Sequence, residues 1–414
     1  MANRVFHVVF LAALVAGCSE DEPLGFETGP LGAVEVDAGA AVQVRSMLPL
    51  ALTGLQNISE SIQKAIELAI EDYGPIHGRA VALDQPVDTM CSSDGGGEGA
   101  RQIAADPQVV GVIGPTCSEA SVGASPVLSA AGLAMISPAN ASPDLTSDLA
   151  GNPGPAYHPG YFRVYSNGLY QAQAVAHFAY DELGLRRMAT IHDGDSVTQG
   201  LATAFANAFS ALGGEVVAIA TVSKGDTDMS AVLADFAAAE PDGIFLPLFA
   251  SEGYHLVSQA KEFDGLGEVT LIAGSSTSTQ EFLGQPESEG VYLSGHDSHF
   301  GSNTNQVTGK DVNALSAEYQ AATDANFFFH AYDATTLLLS AIESVAVEES
   351  GKLYIDRVAL REEIAATTDF QGIIGTLTCD EFGDCGTGHV NIYYHADSSI
   401  TDVAQLPVEY QFAP

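Results

Sequence analysis

The feature that most constrains this chain is a repeated alternation of short apolar runs with amphipathic stretches, beginning near residue 41. VQVRSMLPL (42–50) has strand composition and ends in a Pro-containing loop. Within 59–73, Ile62, Ala65, Ile66, Ala69, Ile70 and Tyr73 fall at i, i+3, i+4 spacing and predict one apolar helix face. AVALDQ (80–85) reads as the next strand, and a short helix over 98–107 is stopped by Pro107. VVGVIGP (109–115) is almost continuously apolar, as a strand covered on both faces requires. A helix over 118–131 and a strand over 133–137 close this first series. After the Gly/Pro/Asn stretch 149–160 the alternation restarts. Strands are expected at 188–192, 215–222, 242–249, 269–274 and 290–295, with helices at 171–184, 198–213, 229–240 and 251–263. Helical patterns at 311–323, 327–346 and 356–367 and β-like pieces at 375–379, 389–395 and 408–412 complete the chain. Strand–helix–strand alternation implies parallel sheets with helices on both faces. Two such series, divided near 150–165, predict an α/β protein of two doubly wound parallel-sheet lobes. Ligands of open parallel sheets sit beyond the carboxyl ends of the strands. Two lobes facing each other in that way would enclose a cleft and act as a clamp.

Charge narrows the partners. The 414 residues carry 14 Lys+Arg against 53 Asp+Glu, a formal net charge of −39. Phosphate binding needs clustered cations, so a general nucleic-acid binder is excluded. Docking on anionic lipid through a basic patch is disfavoured for the same reason. A hydrophobic content of 46% argues against disorder, and the acid excess implies a solvated, self-repelling surface.

The first residues read as an address. In MANRVFHVVFLAALVAG (1–17) one cation, Arg4, precedes an apolar run that is too short to span a bilayer but suits a secretory signal. Val15-Ala16-Gly17-Cys18 resembles the bacterial lipobox, where cleavage leaves the Cys as a lipidated N-terminus. Residues 18–40 are rich in Gly, Pro and acids without a period, and are expected to be a flexible acidic tether. The expected location is therefore extracytoplasmic, on a bacterial membrane through the lipid alone, periplasmic or at the outer surface. With Cys18 lipidated, Cys91, Cys117, Cys379 and Cys385 remain. Export favours disulfides, and proximity favours pairing Cys91 with Cys117 and Cys379 with Cys385. Four buried thiols and a zinc site are the alternatives, the latter lacking both CxxC and a His at finger spacing.

The segment 114–146, GPTCSEASVGASPVLSAAGLAMISPANASPDLT, resembles the first-lobe signature of the periplasmic Leu/Ile/Val-type binding proteins, the solute receptors of branched-chain amino-acid ABC importers. PLALTG (49–54), YFRVYSN (161–167), 212–246 and FQGIIGTLTCDEFGD (370–384) resemble further parts of that family in the same order, so the likeness spans about 41–400. The resemblance implies the type I periplasmic-binding clamp, two α/β lobes joined by three hinge segments. It divides the chain into a first lobe of 41–163 plus 297–370 and a second of 164–296 plus 371–414. It also implies a disulfide between Cys91 and Cys117.

Site residues follow from the same resemblance. Ser118, opening a predicted helix, would hold the ligand carboxylate with free backbone N–H groups, although a plain N-cap accounts for it equally. In SPANASPDLT (137–146) the family commonly places Thr where Ala141 stands, so that hydroxyl contact is lost while Asn140, Ser142 and the backbone remain. A turn shaped by Pro138 and Pro143 is the structural alternative. On the second lobe, Val197 and Phe249 stand where the family often has Tyr. Ser275 stands where it commonly has the Asp or Glu that pairs with the ligand ammonium. A buried ammonium without a counter-charge is costly. The departure therefore favours a neutral polar solute, or a carboxylate without an amine.

Other motifs are weaker. His296 and His299 in HDSH are expected to be a polar linker rather than metal ligands, SSDGGGEGA (92–100) lacks a phosphate-loop Lys, and FFFH (327–330) reads as helix core. CDEFGDC (379–385) reads as a disulfide-closed turn rather than a calcium loop. No cofactor or metal is expected. The implied partners are a small-molecule solute and either ABC permease subunits or a membrane sensor, with the chain a monomer. An enzyme is disfavoured because GxSxG, HExxH and P-loop motifs are absent from the sequence.

Overall fold

The computed structural model describes residues 26–52, 55–318 and 325–414; the leader, Cys18 and the first part of the tether lie outside the described residues. Two large sheets dominate. In the first, the strands run in the order Val81–Leu83, Val42–Leu48, Val109–Ile113, Ala134–Ser137, Tyr161–Arg163, all parallel, with Val87–Asp88 also beside Val42–Leu48. In the second, Glu215–Thr221, Arg187–His192, Gly243–Leu246, Thr270–Ala273 and Val291–His296 are parallel. Val390–His395 and Val408–Phe412 extend it antiparallel. Both parallel series therefore share one doubly wound order, in which the second strand lies outside the first.

Each sheet is covered on both faces. Val44, Val110 and Ile136 pack under the helices Gln56–Tyr73 and Ala325–Val345, while Met47, Val112 and Met135 pack on the other side under Ser93–Ala104 and Ser118–Ala130. All five residues of Val109–Ile113 are buried, which explains its unbroken apolar run. In the second sheet Ile244, Leu246 and Leu293 face one layer, and Met188, Phe245 and Ile272 face the other with Phe205 and Phe209 of the helix Ser196–Ala211. The chain crosses between the lobes after Arg163, after His296 and after Cys385.

Two expectations about boundaries are corrected. The tether does not extend to residue 40. Ala33–Val36 pairs antiparallel with Lys352–Asp356, burying Val34 and Val36 against the first lobe. Its four residues alternate, but a strand so short offers too little period to stand out from a polar segment. The second-lobe tail also does not begin at 371. The hairpin Phe370–Gly372/Gly375–Leu377 places Ile373, Ile374 and Leu377 in the first-lobe core, and the backbone N–H of Ile374 donates to Asp333 Oδ2 at 2.9 Å. Gly372 is required there, since an added Cβ would lie 2.5 Å from that oxygen.

The structure contains the disulfides Cys91–Cys117 and Cys379–Cys385. Among the described residues, no helix is long and apolar enough to cross a membrane.

Candidate functional site

The carboxyl ends of the first-lobe strands carry a loop, Gly114 to Cys117, that feeds the helix Ser118–Ala130. Gly114 has φ +106°, and a Cβ there would meet Met47 O at 2.4 Å, so only glycine lets the two neighbouring strand ends approach this closely. Cys117 occupies the N-cap position, which makes Ser118 the first helical residue rather than the cap. Ser118 is buried, and its Oγ accepts a hydrogen bond from the Ser142 N–H at 3.4 Å. The hydroxyl of Ser142 in turn accepts from the Asp144 N–H, opening the turn Pro143–Leu145. Ser118 and Ser142, expected together from sequence, are thus in contact.

Asn140 behaves differently. Its side chain is fully buried and donates to Ser121 Oγ and to the Tyr161 hydroxyl, the latter at 3.1 Å. Its amide nitrogen holds the loop from beneath, against the first lobe. Its partners lie 19 and 21 residues away, out of reach of any local reading.

The second lobe contributes three loops. Asp195 caps the helix Ser196–Ala211 by accepting from the Val197 N–H at 3.0 Å, and Lys224 Nζ reaches Asp195 Oδ2 at 2.7 Å. The same ammonium lies 5.0 Å from the centre of the Phe249 ring, within cation–π range. Partial burial lowers the affinity of Lys224 for its proton, but Asp195, then Asp193 and Glu252, outweigh this and leave its pKa raised. Phe249 itself is exposed at the N-cap of the helix Ala250–Glu262.

Ser275 begins the 3-10 turn Ser275–Thr277, directly beyond the strand Thr270–Ala273. Its hydroxyl donates to Gln171 Oε1 at 3.3 Å. Gln171 is fixed by donating through Nε2 to the carbonyl and hydroxyl of Ser294 at 2.9 and 3.0 Å. The Tyr165 ring centre lies 3.7 Å from that of His296 and 5.2 Å from that of His330, the two rings tilted against it by 58° and 57°. Burial pushes the Tyr165 hydroxyl well above the ordinary tyrosine range, so it stays protonated. Burial likewise depresses the His296 pKa well below the usual imidazole value, with His330 and Arg163 adding to the effect, so this ring is neutral at pH 7.

The two lobes meet at a recess lined by Ala141, Ser142 and Pro143 from the first, Gly168 and Leu169 from the crossover helix, and Val197, Gly200 and Leu201 from the second. The structure thus brings Ala141, Ser142 and Val197 to one place across the interlobe gap. Phe249 and Ser275 stand on neighbouring second-lobe strand ends, outside the lining of that recess. Tyr165, Gln171 and Lys224 were missed from sequence. Lys224 had a signal, being one of only 14 cations, but nothing local places it at Phe249. Among the described residues no group of three or more His, Cys, Asp or Glu side chains is positioned for a metal ion.

Two doubly wound lobes, three crossings and facing polar strand ends define the class: a type I periplasmic-binding clamp. The profile of the periplasmic binding protein family matches residues 49–390, and the chain belongs to that family of solute-binding proteins. Among similar proteins is the Leu/Ile/Val-binding protein homolog 3 of Brucella melitensis, 26% identical over 362 residues, covering 84% of this chain and 90% of its own. The Leu/Ile/Val-binding protein BraC3 of Rhizobium johnstonii is 25% identical over 374 residues, 88% of this chain and 92% of its own. Of solved structures, a leucine-binding protein of Thermotoga maritima superposes with a TM-score of 0.74 at 25% identity, covering 90% of this chain and 99% of that one.

Proposed function

We propose that this chain is an extracytoplasmic solute-binding lipoprotein, anchored through Cys18, that takes a small polar molecule between its lobes and delivers it to an ABC importer. Relatives named for Leu, Ile and Val binding support the transport class. The proposed solute differs from theirs: it is a carboxylate without an amine, or a neutral amide. One observation carries this reading. Ser275 is uncharged, and its hydroxyl is engaged by the Gln171 amide oxygen rather than by a carboxylate. A ligand ammonium placed there would lose its hydration without gaining a counter-charge, at a cost of several kcal/mol. Ser118, Ser142, Ala141, Val197 and Phe249 are the proposed contacts, with Ser118 and the loop backbone receiving the carboxylate.

The test is isothermal calorimetry with a thermal-shift screen. The panel is leucine, isoleucine and valine against their amine-free carboxylate counterparts and small amides. A ligand that bridges both lobes must raise Tm, because it binds the folded state alone. The expected hit lies among the amine-free compounds; tight binding of leucine, isoleucine or valine would refute the ligand assignment while leaving the receptor class intact.

A further inference from the structure

Arg163 ends the edge strand of the first sheet and is fully buried, a position that a cation holds only when it is paired and hydrogen-bonded. Its Nη1 donates to the carbonyls of Ser142 at 2.6 Å and Asn140 at 3.3 Å, its Nη2 to Thr146 Oγ1 at 2.6 Å, and its Nε to Asp384 Oδ1. Asp384 accepts in turn from Thr146 Oγ1 at 2.8 Å and from Asn167 Nδ2 at 3.0 Å. Three segments remote in sequence thereby share one network: the loop 140–146, the first crossing and the tail turn.

The tail turn is itself rigid. Asp380 Oδ1 accepts the N–H groups of Phe382 and Asp384, both at 2.9 Å, and the Cys379–Cys385 bridge closes the turn around them. Backbone bonds dock it on the strand edge, from the Arg163 N–H to Gly383 O at 3.0 Å and from the Cys385 N–H to Arg163 O at 2.9 Å. Gly383 lies flush against that edge, since a Cβ there would stand 2.3 Å from Tyr161 O. The loop is tied to the crossing as well, through the Gly168 N–H to Ala141 O at 2.8 Å.

We propose that Arg163 and Asp384 are positioning residues for the loop 140–146, and that the Cys379–Cys385 bridge serves ligand binding by holding Asp384 in register beneath that loop. Arg163 grips the Asn140 and Ser142 carbonyls from inside. It thereby fixes the outward faces of Ala141 and Ser142, which line the interlobe recess. The ligand role of the loop rests on the function proposed above; the mechanical link does not.

The test is hydrogen–deuterium exchange on the solute-free full chain, comparing wild type with Asp384→Asn and with the Cys379→Ser/Cys385→Ser pair. Loss of a charge-assisted bond should accelerate exchange in the segment 138–147 about ten-fold in Asp384→Asn, and about three-fold in the milder cysteine pair. Val109–Ile113 in the same lobe and Gly243–Leu246 in the other should stay within about two-fold of wild type, as a local opening requires. Unchanged exchange at 138–147 in the cysteine pair would overturn the proposal, whether or not Asp384→Asn folds. So would an equal rise in Val109–Ile113, which marks general loosening instead. Because no solute is present, these outcomes are independent of the ligand assignment.

Discussion

Installing the missing acid tests the reading of the cleft most directly. In Ser275→Asp the new carboxylate would stand where the hydroxyl now donates to Gln171 Oε1 at 3.3 Å. That oxygen is an acceptor and cannot exchange places with Nε2, because Nε2 is held by the Ser294 carbonyl and hydroxyl. The solute-free variant thus gains a half-buried charge facing an acceptor and loses one hydrogen bond. A destabilisation of about 1–3 kcal/mol follows, or a Tm lowered by roughly 1 °C per kcal/mol for a chain of this size. A leucine ammonium would supply the missing donor. A hydrogen bond to a charged group contributes about 1.5–3 kcal/mol, which corresponds to a gain of about 10- to 100-fold in leucine affinity. Calorimetry and thermal shift read both arms, and Ser275→Asn, of equal size but uncharged, should gain nothing. If Ser275→Asp folds and binds leucine no better than wild type, the seat assigned to Ser275 is wrong, and with it the argument that excludes an amine.

Three further outcomes follow. Asp333 is fully buried, and desolvation pushes its carboxyl up to about 6; since the unfolded group ionises near 4, stability should fall by about 3 kcal/mol in all as pH rises from about 3 to about 7, most of it between about 4 and 6, and level off above. Urea unfolding across that range should show this part of the slope vanish in Asp333→Asn, and equal slopes in both proteins would exclude the assignment. Gly372→Ala would drive a methyl against Asp333 Oδ2 and should cost about 1–3 kcal/mol in the same assay, through loss of the bond to the Ile374 N–H; an unchanged midpoint would show that the hairpin is not pinned there. With a net charge of −39, the association rate of an anionic solute in stopped flow should rise several-fold between low and about 0.15 M salt as repulsion is screened, whereas a rate that falls with salt would point to a cationic one.

What the sequence disclosed was set by how local each feature is. Runs such as VVGVI, buried at every position, and the helix face of Ile62, Ala65, Ile66 and Ala69 report their surroundings through composition and period alone. The strand ends that frame the cleft follow from those runs, which is why Ser118, Ser142, Ala141 and Val197 were found near one another. Strands of three to five residues, Ala33–Val36, Val347–Glu349 and Lys352–Asp356, are too short to show a period, and their pairing is a long-range fact. The direction of the Asn140 side chain is likewise a long-range fact, set by Ser121 and Tyr161.

The same distinction separates the two halves of the site. Lobe-one contacts come from one contiguous stretch, 114–146, whose loop geometry is written in its own Gly, Pro and Ser residues. The lobe-two seat is assembled from distant pieces: Ser275 meets Gln171, 104 residues earlier, and Gln171 meets Ser294, 123 residues later. On the proposed function, a substitution at 275 therefore changes the ligand's counter-charge without disturbing the proposed carboxylate cradle on the facing lobe. Specificity for one end of the solute can change while the grip on the other end and the closing motion are kept. On the proposed function, a receptor fold built this way exchanges solutes through single positions on the second lobe, with the uncharged Ser275 as the position used in this chain.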